Sequence, residues 1–173
     1  MTWTAPTVDR PDTAFVNPER PALEDWLRFH RATLLVKCAG LAAEQLKNAA
    51  VQPSNLTLLG LVRHMSEVER SWFRRGFAGE DAPMIYCTDD DRDGDFDNVA
   101  DAGAETDFAT YQSECEAADR AARGHDLDET FSHRRTGTTF DLRWIYIHMI
   151  EEYARHNGHA DLIRERIDGV TGD

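Results

Sequence analysis

Two side chains near the C-terminus of the sequence have the chemistry and the spacing of a divalent-metal site. The segment "HMIEEYARHNGHADLIRERI", His148–Ile167, has no proline and a single glycine, so it predicts one long helix. On a projection at about 100° per residue, Glu152 and His156 fall on or beside its apolar stripe. Because they are one turn apart, their Cβ atoms would be roughly 5–6 Å apart, and the two groups can share one ion.

A carboxylate on a buried helix face is costly unless it is paired or bound to a metal, so two interpretations stay open. In one, Glu152 forms an ion pair with an arginine inside the fold and His156 hydrogen-bonds to it. In the other, both residues hold a metal with a third ligand from another helix. The E-x-x-x-H spacing differs from the H-E-x-x-H of zinc proteases and gives the metal no support. His64 is the candidate third ligand, although periodicity alone favours a histidine at the edge of an apolar stripe.

These side chains need helices to position them, and the sequence predicts four, which together indicate an all-α antiparallel bundle. Residues 1–20 contain prolines but no periodic apolar pattern, and we expect an extended arm followed by one domain over residues 21–173. Only "HRRTGTTFDL", residues 133–142, has β character. The predicted helices cover residues 21–46, a segment that opens at Ser54 as N-cap and runs to Phe77, about 105–123, and about 139–167 with Gly169 ending the last one.

Composition excludes several classes of partner. The 173 residues include 19 basic and 32 acidic side chains, which gives a net charge of −13. Nucleic acids and anionic membrane surfaces attract positive proteins, so neither is an expected partner, and no apolar run approaches the length of a membrane span. The three cysteines (Cys38, Cys87 and Cys115) form no CxxC pair, which favours a reducing, cytoplasmic location.

The acidic segment "DDDRDGDFDNVA" begins like a calcium-binding loop, with Asp89, Asp91 and Asp93 followed by Gly94. The twelfth position of such a loop carries a bidentate glutamate, but here it is Ala100. We therefore expect residues 89–101 to be a solvated acidic loop between the second and third helices. That position would let the loop border a pocket, and the sequence assigns it no further role.

Two longer motifs together resemble the DinB-like superfamily. They are "LTLLGLVRHMSEVERSWFRRGFAGE" and, much later, "LRWIYIHMIEEYARHNGHADLIRERIDG". More closely, the sequence is similar to the mini-circle-protein branch, a family of unknown function, over about residues 21–170. The resemblance implies a four-helix bundle with a long crossover connection, frequently assembled as a homodimer. Relatives in the superfamily include metal-dependent thiol S-transferases and the mycothiol-dependent maleylpyruvate isomerase.

The same resemblance implies a ligand set and favours the metal interpretation over the ion pair. In the superfamily, a histidine of the second helix and two residues one turn apart on the fourth helix hold one metal. These positions match His64, Glu152 and His156. Glutamate at the middle position departs from the commoner histidine and resembles the isomerase branch. The glutamine that usually follows is His159 here.

Such a set has coherent chemistry. Two neutral imidazoles and one carboxylate bind a divalent ion and leave one position for water or substrate. Zinc is expected, while nickel, manganese or iron would accept the same ligands. A metal can convert a thiol to a thiolate, which could attack an electrophilic carbon. His159 is the candidate catalytic residue, as an outer partner of the site or a general base. A histidine with a purely structural role is the alternative for His159, and the sequence assigns no role to His148.

The sequence therefore supports two functional hypotheses. The first is a metal-dependent S-transferase or isomerase that uses a low-molecular-weight, mycothiol-type thiol and a small electrophile. The second is a non-catalytic metal-binding protein for stress response or interaction. Arg143 and Arg155 are candidates for contacting anionic groups of the thiol at the pocket mouth. A homodimer is expected because apolar residues lie away from the main stripe of the second helix, namely Leu59, Phe73 and Phe77.

Overall fold

Four long helices form the body of the protein in the computed structural model, which describes residues 3–133 and 136–172. The first long helix packs mainly on the last one, and the second packs on both the third and the last. The predicted all-α four-helix bundle is therefore confirmed. Within the described residues, no helix combines the length and the apolar character that crossing a bilayer requires. In chain order the elements are α1 (Glu19–Cys38), α2 (Ala43–Leu46), α3 (Leu58–Glu69), a π-helical segment (Arg70–Phe77), α4 (Gly94–Asp97), α5 (Ala104–Ala122), β1 (Thr130–Ser132), β2 (Thr139–Asp141) and α6 (Leu142–Asp168).

The first predicted helix is too long, because a break near Gly40 separates α1 from the short α2. Gly40 has φ +78°, a left-handed conformation that glycine adopts without steric cost. The described N-terminal residues pair with this corner: Ala5 donates to the Leu41 carbonyl, and Gly40 donates to the Ala5 carbonyl. Ala5 is buried there.

The N-cap of α3 is Thr57, so the prediction of Ser54 is wrong. The Thr57 hydroxyl accepts from the Gly60 N–H at 2.9 Å, whereas the Ser54 hydroxyl accepts from the Leu56 N–H. Most of α3 is buried because it contacts α4, α5 and α6 together. Gly60 lets α4 approach closely, since a Cβ atom there would lie 3.1 Å from the Phe96 ring.

The long connection from Ala78 to Gly103 crosses from the π-helical segment to α5 and contains α4. Glu67 of α3 holds one part of it: its Oε1 atom accepts from the N–H groups of Ile85, Tyr86 and Cys87 at 2.6–3.0 Å. Three hydrogen bonds to one buried carboxylate oxygen fix the connection against α3. The acidic residues of the predicted loop follow directly.

The predicted start of the last helix is also wrong by a few residues. Thr139–Asp141 forms β2, which pairs antiparallel with β1, so the expected β character is confirmed for these residues, while positions 134–135 lie outside the described residues. Asp141 caps α6 by accepting from the Trp144 N–H at 2.7 Å. Gly169 ends the helix as predicted, at φ +80°.

A buried polar network connects all four long helices. Arg31 of α1 donates to both carboxylate oxygens of Glu69 on α3, each at 2.6 Å. Tyr153 of α6 donates to Glu69 Oε1 at 2.8 Å, and Tyr111 of α5 donates to the Tyr153 hydroxyl at 2.9 Å. The Glu69 side chain is fully buried, so these bonds replace its contacts with water.

The apolar residues that led us to expect a homodimer lie inside the chain. Leu59 and Phe73 are buried in the core, and Phe77 packs against it. They therefore provide no outward face for a second copy.

Candidate metal centre

α3 and α6 bring His64, Glu152 and His156 together. One ligand-type atom from each side chain lies within 4.8 Å of the others. Each side chain keeps between 12% and 24% of its surface exposed. The cluster is therefore set into the bundle but reachable from solvent on one side.

One separation within the cluster matches that between two ligands of a divalent ion. Zinc binds nitrogen and oxygen at about 2.0–2.2 Å, so two ligands of one tetrahedral ion lie about 3.3 Å apart. The Nε2 atom of His156 and the Oε2 atom of Glu152 are already 3.4 Å apart. The remaining separations are at most 4.8 Å, so the three side chains converge on one place in the bundle.

His64 is held by a carboxylate from the long connection. Its Nδ1 atom lies 2.8 Å from Asp95 Oδ2, and a carboxylate can only accept. The His64 ring also stacks on Phe96, with ring centroids 4.8 Å apart. Nε2 is therefore the nitrogen that His64 can offer to a metal.

His156 is paired on its other side with His159, whose Nδ1 atom lies 3.4 Å from His156 Nδ1. Burial, together with the nearby positive charges of His64, His159 and Arg155, lowers the pKa of His156 to about 4. The ring therefore stays neutral at physiological pH, which is the form that binds metals.

Glu152 has a second neighbour one turn earlier on α6. His148 Nε2 lies 3.6 Å from Glu152 Oε1, and the His148 ring stacks on Trp144 and meets Trp72 edge-on. His148, Glu151 and Glu152 also form a group that could hold a cation. This group is less suited, because Glu151 is exposed and pairs with Arg155 at 2.8 Å.

An aromatic cluster continues from His148 towards the β-hairpin. The Trp72 ring contacts Phe140, Trp144 and His148 with centroid distances of 4.8–5.6 Å. Trp144 is 39% exposed. An apolar surface therefore lies beside the candidate metal centre.

Comparison with known families identifies the protein class to which this geometry corresponds. Residues 22–169 match the sequence model of the mycothiol S-transferase family, a member of the DinB-like superfamily. The chain belongs to this family. No curated protein and no solved structure matches it. The resemblance inferred from the two sequence motifs is thereby confirmed, and with it the DinB-like bundle and its long crossover connection.

In this family member, the described close contacts of the Glu152 carboxylate are with the rings of His148 and His156, and none is with an arginine. The buried carboxylate–arginine pair that the sequence suggested exists elsewhere in the bundle, between Glu69 and Arg31. The ion-pair interpretation therefore describes Glu69 rather than Glu152.

The two arginines expected at the pocket mouth lie in different places. Arg143 pairs with Glu19 and Asp128 near the start of α6, and no described ion pair connects it to the three clustered side chains. Arg155 pairs with Glu151, and its charge contributes to the lowered pKa of His156. Only Arg155 is therefore near the cluster.

Sequence reasoning missed two residues of the acidic loop that contact the cluster, Asp95 and Phe96, which bind and stack on His64. The expectation that this loop borders the site was based on its place between helices. Among the described residues, the acidic side chains of this loop join no group suited to hold a cation. Asp95 and His64 are 31 residues apart, and no local pattern connects them.

The three cysteines are free thiols without thiolate character. Burial raises the pKa of Cys38 to about 12, that of Cys87 to about 11 and that of Cys115 to about 12. A nucleophilic sulfur is a thiolate. The chain's own thiols are therefore poor nucleophiles.

Proposed function

We propose that this family member is a divalent-metal-dependent S-transferase that joins a mycothiol-type thiol to a small electrophile. The observation that supports this most directly is the convergence of three ligand-type side chains from two helices within 4.8 Å. Membership of the mycothiol S-transferase family supplies the class of thiol. The electrophile is not identified by either observation.

In this proposal, His64, Glu152 and His156 hold the ion, with zinc the expected metal and nickel, manganese or iron as other acceptable ions. When bound, the ion would supply a positive charge that lowers the pKa of an approaching thiol. The neutral His156 ring, its pKa lowered by burial, needs to lose no proton before it binds the ion.

His159 is the proposed catalytic residue. Its ring nitrogen lies 3.4 Å from the second nitrogen of His156, and the side chain is only half-buried. It can therefore accept the proton that the thiol releases, or hold His156 in its ligating orientation. The co-substrate provides the attacking sulfur, because the protein's own thiols have raised pKa values.

The proposed function also includes a binding surface for the electrophile, a cellular location and an oligomeric state. The exposed ring of Trp144 and the partly buried ring of Trp72 beside it offer an apolar wall for the electrophile. A reducing cytoplasmic location agrees with three free cysteines. The superfamily resemblance supports a homodimer as part of the proposal.

Elemental analysis of purified protein, with Glu152→Gln as the critical variant, tests the metal part. The substitution keeps the shape of the side chain and removes its charge. We expect about one divalent ion per chain in the wild type and a loss of affinity in the variant that exceeds the ~10–100-fold typical of an outer partner. Glu151→Gln is the matched control and should keep the ion. Stoichiometric metal that survives both His64→Ala and Glu152→Gln would overturn the assignment.

Activity then separates a transferase from a metal-binding protein without turnover. Loss of free thiol is followed with mycothiol and a fluorogenic alkylating electrophile, in metal-loaded wild type and in His159→Gln. We expect the variant to keep its metal and to lose about 10–100-fold in rate, as is typical when an outer partner of a metal site is removed. His125→Gln, a surface histidine beside Glu129, is the control. A metal-loaded wild type that never accelerates thiol loss would support the non-catalytic alternative.

A further inference from the structure

We infer that Asp95 is a positioning residue for His64: the acidic connection supplies the carboxylate that fixes which ring nitrogen of His64 carries the proton. The consequence for metal binding rests on the proposed function, whereas the effect on the His64 ring does not. No role for this loop follows from its sequence. Both carboxylate oxygens of Asp95 make contacts that support this role.

The first contact is with His64 itself. Asp95 Oδ2 lies 2.8 Å from His64 Nδ1, and only 4% of the Asp95 side chain is exposed. Because the carboxylate accepts and cannot donate, the proton lies on Nδ1 and the lone pair on Nε2. Little water therefore reaches the Asp95 carboxylate to compete for this hydrogen bond.

The second set of contacts holds Asp95 in place. Its Oδ1 atom accepts from the Phe96 N–H at 3.0 Å. Arg63, the residue before His64, donates to the Asp95 and Gly94 carbonyls, each at 3.0 Å. Arg63 of α3 therefore binds the main chain of the connection, and the next residue, His64, hydrogen-bonds to the Asp95 carboxylate.

Two further features fix the geometry of this segment. A Cβ atom on Gly94 would lie 2.6 Å from the Tyr86 carbonyl oxygen, so this close approach requires glycine. The Phe96 ring stacks on the His64 ring at 4.8 Å. The imidazole is thus held by a hydrogen bond at its edge and by a ring on its face, which restricts its rotation.

Histidines that bind metals commonly donate their second N–H to a carboxylate, which sets the tautomer and raises the basicity of the ligating nitrogen. Asp95→Asn tests this with little change of shape. The Phe96 N–H needs an acceptor, so the amide oxygen takes that side and the NH₂ group faces His64 Nδ1. That nitrogen must then accept, which moves the ring proton to Nε2, where it blocks ligation.

The first measurement uses metal-free protein. Two-bond ¹H–¹⁵N correlation spectra of ¹⁵N-histidine-labelled wild type should show His64 with its proton on Nδ1, and spectra of Asp95→Asn should show increased protonation of Nε2. Asp97→Asn is the matched control, because Asp97 loses the same charge on the same short helix, and its described side-chain hydrogen bond is with Asn55, away from His64. Wild-type His64 protonated on Nε2, or a tautomer unchanged in Asp95→Asn, would overturn the inference.

The second measurement is zinc affinity by competition with a chromophoric chelator. Affinity should fall about 10–100-fold in Asp95→Asn and stay within about twofold of wild type in Asp97→Asn. A shifted tautomer with unchanged affinity would refute the positioning role. If the wild type binds neither zinc nor nickel, manganese or iron, the proposed function fails, but the spectra still decide the tautomer. The wild-type spectrum tests the tautomer without any variant. Thermal unfolding of Asp95→Asn and Asp97→Asn establishes that both variants are folded.

Discussion

The surroundings of His156 disfavour its protonated, charged form. Burial and three neighbouring positive charges lower its folded-state pKa to about 4, compared with about 6.5 for an unperturbed histidine. Between these values the unfolded chain binds a proton that the folded chain does not. Stability of the metal-free protein therefore rises with pH across this window.

We therefore predict that metal-free protein loses stability as the pH falls from about 6.5 to about 4. The contribution of His156 is about 1–2 kcal/mol once solvent screening of a partly exposed site is allowed for. It should be fully present above pH 6.5 and absent below pH 4. Urea unfolding of chelator-treated protein at pH 7 and at pH 4.5 measures it.

His156→Gln provides the comparison for that measurement, because it keeps a polar side chain that cannot take up a proton. Its unfolding free energy should fall less between the two pH values than that of the wild type. The surface variant His125→Gln should follow the wild type. Equal pH dependence in wild type and His156→Gln would show that the proton affinity of His156 does not differ between the folded and unfolded states.

Some residues of the candidate site could be predicted from the sequence, and others could not. Glu152 and His156 could be paired from helical periodicity, since residues one turn apart share a face. His64 could be chosen only with the help of the family resemblance, because its own helix placed it at the edge of an apolar stripe. Asp95 could not be found, because its contact with His64 depends on how the connection folds back over α3.

The long helices are connected by the Arg31–Glu69 pair, to which Tyr153 and Tyr111 add hydrogen bonds from the two remaining helices. Removing one partner of a buried pair leaves the other charge without compensation. Tyr153 follows Glu152 directly in α6, so its hydrogen bond to Glu69 also fixes the position of Glu152 along α3. It therefore supports the candidate metal centre from inside the bundle.

We predict that Glu69→Ala destabilises the protein by about 3–5 kcal/mol, because Arg31 loses its buried carboxylate and keeps a pairing with Asp119, whose side chain is exposed. Glu116→Ala is the control, since Glu116 forms an exposed pair with Arg120, and exposed pairs contribute about 0–1 kcal/mol. Urea midpoints at neutral pH measure both. Equal midpoints for the two variants would contradict the role given to the network.

Element boundaries show where helical periodicity stops being informative. Leu41 and Leu46 are both buried, so the apolar pattern continues across Gly40 although the helix does not. Ser54 and Thr57 both precede the apolar run of α3, and only the hydrogen bond to the Gly60 N–H selects Thr57. Thr139–Asp141 was assigned to the last helix, but pairing with β1 turns it into a strand.

At the scale of the whole molecule, the net charge of −13 bears on what can approach the site. A negative surface favours cations and disfavours polyanions at moderate ionic strength. This agrees with a site for a divalent ion and with the expected absence of nucleic-acid and anionic-membrane partners. The charge says nothing about how the chain associates with itself.

Self-association of the chain requires an apolar surface outside the core. Leu59 and Phe73 cannot form a dimer interface, because they are buried within one chain. Apolar surface remains on α6, where Ile147 is 53% exposed and Leu162 is 57% exposed. Their positions fall within about 60° of each other on the helical projection.

We predict a homodimer that buries this outward face of α6, since stable interfaces bury about 1,200–2,000 Å² and need an apolar centre. Light scattering at micromolar concentration should give about twice the chain mass of 19.6 kDa. Leu162→Glu should shift the protein towards one chain, because it places a charge in the centre of the interface. Val170→Glu, at an exposed position after α6, should not. A wild-type mass near 19.6 kDa would refute the dimer, and a dimer unchanged by Leu162→Glu would exclude this face.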